Sequence, residues 1–187
     1  MTTLSGCALQ QSDAEVAHGG GEAAPAETVA QEEQPAFHFK SGDLVLGEFD
    51  PYTIGDDLFN PCEEISDEEF AELGLHAKRD LGYNPVTQKA GCYFKPDDPR
   101  VQIGFVSNAA NKLIVLSKMK LHSENDWGSV PGAYVFEHPN LQGNCYAMVD
   151  TERGAFGTNA VSVSIDDQNY LCALAQDGLE RIYSAAK

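Results

Sequence analysis

Apolar and polar positions alternate in short punctuated runs over most of the chain, beginning near Phe37. "DLVLGEF" at 43–49 reads as a first strand, and "KAGCYFK" and "RVQIGFV" as two more, split by "PDDP", whose prolines and aspartates favour a turn. In the second of these, Val101, Ile103 and Phe105 alternate with Gln102 and Gly104, which predicts one buried face. Farther on, "GAYVFEH", "NCYAMVD" and "NAVSVSID" repeat the strand pattern, with Asn140–Gly143 as a plain hairpin loop. "NKLIVLSKMKL" at 111–121 fits either a strand or a helix, because four adjacent apolar residues suit both.

Two segments carry a helical period instead. Within "NPCEEISDEEFAELGL" at 60–75, Ser66 with Glu69 three residues later forms a capping box, Phe70 and Leu73 face the core, and Gly74 stops the helix. At the end of the chain Leu171, Leu174, Ala175, Leu179, Ile182 and Tyr183 share one face of a long helix despite Gly178. The pattern predicts a single α+β domain over 37–187, an antiparallel sheet with one short helix and one long C-terminal helix.

Composition changes the picture most before residue 37. Residues 8–36 are dominated by Ala, Gln, Glu, Gly and Pro, and the first Lys or Arg in the chain is Lys40. Such a stretch buries too little apolar surface to offset its ordering entropy, so a disordered acidic tether is expected, with a root-mean-square span of about 30 Å. The formal net charge of −17 argues against a nucleic-acid partner or a basic membrane-binding face, because both need clustered Lys and Arg. No apolar run approaches a membrane span.

Five cysteines divide into one and four. Cys7 precedes the tether, whereas Cys62, Cys92, Cys145 and Cys172 fall in or beside predicted elements. No C-x-x-C pair is present, so neither a metal site nor any cofactor is implied, and the four suggest two disulfides of an exported domain, with three pairings open. Four buried free thiols are the alternative.

"LFNPCEEISDEEFAELGL", "GCYF", "GNCYAMV" and "NYLCALAQDGLERIY" together resemble the uncharacterised actinobacterial lipoproteins grouped as domain of unknown function 3558. The resemblance runs from about Phe59 to Ala185. Its one departure is Phe94, where the family usually places a Trp. It implies the pairing Cys62 with Cys92 and Cys145 with Cys172. It also gives "LSGC" at 4–7 a meaning, since members carry a lipobox whose cysteine is lipid-modified. Residues 1–7 then read as a signal remnant, with Cys7 as the attachment point on the outer face of the cytoplasmic membrane. The rest of the signal is expected upstream, lost to a start codon assigned too late or to a sequence cut short.

No recognised catalytic motif is present: there is no G-x-S-x-G, H-E-x-x-H or phosphate loop, and no calcium loop. Scattered histidines and the doublets Asp56–Asp57, Asp97–Asp98 and Asp166–Asp167 read as surface, turn and capping residues. The expected function is therefore a monomeric, non-catalytic binding domain for a cell-envelope protein, glycan or lipid, through a groove between sheet and helix. Trp127, in the polar loop "HSENDWGSVPGAY", and Tyr134 are the candidate contacts, although Trp127 equally suits a staple that tucks its loop onto the sheet. The alternative is an envelope hydrolase without a recognisable motif, for which Glu68, Glu69 and Glu137 are available.

Overall fold

The computed structural model describes residues 34–95, 98–124, 128–165 and 167–186. Cys7, Trp127 and residues 8–33 of the expected tether lie outside them. Among the described residues no helix is long and apolar enough to cross a membrane.

A hairpin, β1 (Ala36–Phe39) and β2 (Gly42–Val45), opens the chain. A 3-10 turn (Gly55–Asp57) leads to α1 (Pro61–Glu64) and α2 (Asp67–Glu72), then to β3 (Arg79–Asn84), β4 (Lys89–Phe94) and β5 (Gln102–Asn108). The ambiguous segment resolves into both alternatives, α3 (Lys112–Leu116) followed by β6 (Lys120–Glu124). Then come β7 (Tyr134–Glu137), β8 (Asn144–Thr151), β9 (Gly154–Val161) and α4 (Gln168–Ala185). Strands β3 to β9 make one antiparallel sheet in the order β3-β4-β5-β9-β8-β7-β6.

The expected helix within 60–75 is two short ones. Asn60 Oδ1 accepts from the Cys62 N–H at 3.1 Å, and Pro61 occupies the first turn, where no amide donor is needed. The extended Ile65 breaks the run, and Ser66 starts α2 with the capping box that the sequence predicts: Ser66 Oγ accepts from the Glu69 N–H at 3.3 Å and Glu69 Oε2 accepts from the Ser66 N–H at 2.9 Å. Phe70 and Leu73 are buried.

Period-2 alternation gives the sheet two different faces. One carries Cys92, Phe94, Phe105, Cys145, Ala147, Phe156 and Ala160, and is covered by α4, by α1 and α2, and by the β1–β2 hairpin. Phe94 packs at 4.6 Å from the ring of Phe70 and 5.9 Å from that of Phe105, so a phenylalanine fills the position that the resemblance assigns to Trp. Gly178 lies where α4 approaches β9 closely. A Cβ there would stand 3.2 Å from Thr158 Cγ2, and Thr158 Oγ1 donates to the Ala175 carbonyl one turn earlier.

The opposite face carries a smaller cluster, Tyr134, Phe136, Met148 and Ala155, under Val115 of α3. A five-residue helix is about 7.5 Å long and strands are about 4.8 Å apart, so α3 spans roughly two strands of seven. Over β4, β5 and the near half of β9 no helix among the described residues covers this face.

Candidate functional site

The uncovered part of the sheet is a two-lobed groove. Its larger lobe, 420 Å³, lies between the β3–β4 hairpin and β5 and is lined by Leu81, Asn84, Thr87, Lys89, Gly91, Tyr93, Val106, Asn108 and Tyr146. A second lobe of 240 Å³ runs under α3, walled by Ala110, Ile114, Lys118 and Met119 over Phe136 and Met148. Lys89, Asn108 and Tyr146 belong to both lobes, which makes the groove continuous. Lys89 and Asn108 are direct register partners on β4 and β5.

Alternation sends Gly91 and Tyr93 of β4, Gly104 and Val106 of β5, Asn159 of β9 and Tyr146 of β8 to this face. Gly104 and Asn159 are register partners, and a Cβ on Gly104 would collide with Asn159 Oδ1 and with the Tyr93 ring. The missing side chain therefore lets Tyr93 lie down across β5, where Asn159 Nδ2 donates to Tyr93 Oη at 3.1 Å. Burial pushes the Tyr146 hydroxyl's pKa up, and a hydrogen bond with the Asn159 side chain partly offsets this. Two tyrosines thus converge on one wholly buried amide whose Oδ1 has no hydrogen-bond partner among the described residues.

Tyr134 is not a contact residue. It is fully buried beneath α3, its Oη donates to Asp150 Oδ1 at 3.3 Å, and the Lys112 ammonium stands 5.5 Å from its ring centre. Its strand is flanked on both sides and α3 seals the face above it, which overturns the expectation of an exposed anchor. Burial also holds the Asp150 carboxyl above the usual carboxylate range, against the lowering effect of bonds from the Lys112 N–H and Tyr134. Beside α2 and β1 the seam of α4 leaves a void of only about 20 Å³, while the first turn of α4 borders a separate polar cavity of 360 Å³ with Lys120, His122, Glu137 and His138. The groove between sheet and helix lies under α3, on the other face.

The carboxylates available for hydrolysis do not meet. Glu69 is spent on its capping box and on the Lys40 N–H at 2.8 Å, and Glu68 is exposed on α2. Glu137, on β7, is instead paired with Lys120 of β6. Glu64 is held by both terminal nitrogens of Arg153, at 2.5 and 2.9 Å. Among the described residues no cluster of three or more His, Cys, Asp or Glu could hold a metal ion.

Of the four domain cysteines, Cys145 and Cys172 are joined, tying β8 to the first turn of α4. Cys62 and Cys92 are buried thiols in contact rather than a second disulfide. A hydrogen bond with Cys62, then burial, pushes the Cys92 thiol strongly upward, so that thiol is protonated at neutral pH.

The family model described as protein of unknown function, DUF3558, matches residues 2–184. The chain belongs to this family. No curated protein and no solved structure matches it. For this DUF3558 chain, the groove itself is the guide to function. Sequence reasoning missed its residues, although one signal was present: Gly91 and Gly104 sit inside strands, where glycine often marks a close approach.

Proposed function

We propose that this DUF3558 chain is a non-catalytic binding domain, lipid-anchored through Cys7 on the outer face of the cytoplasmic membrane, which takes a cell-envelope component in the groove of its uncovered sheet face. The groove carries the reading. It is concave, of a size that ligand pockets usually have, and mixes an apolar lobe with a few amides, phenols and one shared ammonium. Among its described lining residues, which include His138 at the edge of the lobe under α3, there is no Asp or Glu, so no carboxylate pair of the kind glycosidases use lines the groove.

The anchor rests on "LSGC" at 4–7 together with the acidic stretch that follows. Two acyl chains at such a cysteine give durable membrane attachment.

The test starts from the protein expressed with its complete upstream signal, purified from membranes and examined by native mass spectrometry for a retained envelope component. Val106→Trp fills the larger lobe and should abolish retention, and Cys7→Ser should move the protein to the soluble fraction. Retention unaffected by Val106→Trp contradicts the site. Turnover of an envelope glycan or ester by the purified protein contradicts the class.

A further inference from the structure

We propose that the groove's ligand is a long-chain carboxylate, with its acyl chain under α3 and its carboxylate at Lys89. This rests on the open sheet face being the binding site, and adds the chemistry of what binds there.

The lobe under α3 has a floor of Phe136 and Met148, both buried, and walls of Ile114 and Met119, so most of what an occupant touches there is hydrocarbon or thioether. Methionine is flexible and polarizable, and suits a chain that has no fixed shape. A compact polar ligand would leave its hydrogen-bonding groups unmet against these walls.

Charge selects the other end. The protein carries 29 acidic residues against 12 basic ones, yet the charged side chains lining both lobes are Lys89 and Lys118, with no described carboxylate among them. Neither lysine forms an ion pair among the described residues, whereas Lys78, Lys112 and Lys120 each do. Lys89 stands where the lobes join, so its ammonium is available to an anionic head there, and Lys118 stands in the lining of the apolar lobe. The lining holds no arginine fork, so an anionic head there meets the point charge of a lysine ammonium. Beyond Lys89 the larger lobe adds Asn84, Thr87 and Tyr93 beside Leu81 and Val106, which favours one direction: hydrocarbon under α3, polar end toward the larger lobe.

Calorimetric titration of the full chain with sodium octanoate, decanoate and laurate, and with uncharged methyl laurate, tests this. Laurate should bind one to one. Affinity should rise about two- to fourfold per added methylene until the lobe is full, and methyl laurate should bind about tenfold more weakly. Lys89→Ala should weaken laurate about three- to tenfold while leaving methyl laurate unchanged, and Ala110→Phe should block both by filling the lobe. Circular dichroism and melting of each variant verify the fold. Equal affinity for laurate and methyl laurate overturns the proposal, as does the absence of laurate binding. If laurate fails while the membrane-purified protein retains a glycan or peptide that Val106→Trp removes, this inference falls and the binding function stands. If Val106→Trp removes nothing, the site itself falls.

Discussion

Gly104 and Asn159 face each other across β5 and β9, and the bare α-carbon of one is what makes room for the amide of the other. Tyr93 lies over both, bonded to Asn159 through its hydroxyl. Replacing Gly104 by Ala forces Tyr93 and the amide to move, because the new Cβ would stand 2.8 Å from a Tyr93 ring carbon. The expected cost is about 1–3 kcal/mol, the usual range for overpacking, together with weakened ligand retention. Urea midpoints of Gly104→Ala and of the milder Tyr93→Phe check this, and a Gly104→Ala midpoint equal to wild type would show that the layer is loosely packed.

Glu69 ties the start of α2 to the β1–β2 turn. Burial raises its pKa, but bonds from the Lys40 N–H, the Ser66 hydroxyl and the Ser66 N–H outweigh that and leave it below the ordinary 4.5. The folded state then binds this proton more weakly than the unfolded one. The stabilisation is complete above 4.5 and is lost as pH falls through the depressed folded value. Glu69→Gln should therefore flatten the acid limb of the stability curve, and Ser66→Ala should cost about 1 kcal/mol through the lost cap. Urea unfolding at pH 3 to 7 measures both, and an unchanged acid limb would contradict the assignment.

The cysteine pairs should respond differently to redox conditions. Breaking Cys145–Cys172, which are 27 residues apart, should cost about 3–4 kcal/mol in the chain-entropy picture. Cys62 and Cys92 are adjacent thiols, and the export reading predicts that they join in an oxidising compartment. Peptide mapping of protein from the envelope should find Cys62 linked to Cys92, and its melting should exceed that of the singly bridged form. A link from Cys62 to Cys145 or Cys172 would overturn the pairing.

The strands β4, β5, β7 and β8 were legible because their alternation is strong and Gly, Pro or Asn punctuates them. The long helix α4 was legible because its apolar face repeats cleanly, with Leu171, Ala175, Leu179 and Ile182 buried against the sheet. Five elements, β1, β3, α3, β6 and β9, were not, and β9 runs over Gly154–Val161, so that "NAVSVSID" at 159–166 holds only its last three residues. β1 is four residues long and abuts the low-complexity stretch, and β3 has an exposed pattern broken by an irregularity between Asp80 and Tyr83. The 111–121 run holds a helix and then a strand, each too short to impose its period. The site was the least legible part. Its residues come from six strands and α3, brought together only by folding, and Tyr134 looked like a surface anchor because nothing local to it encodes the five-residue helix that covers it.

Site-directed photocrosslinking tests most directly whether the groove is the working surface. A benzoylphenylalanine at Thr87, exposed on the groove's bank, and another at Asp177, exposed on α4 on the opposite face of the sheet, would be irradiated in the membrane-anchored protein. The account predicts an adduct with an envelope component at Thr87, lost on adding Val106→Trp, and none at Asp177. Equal adducts at both positions, or an adduct at Asp177 alone, would contradict it.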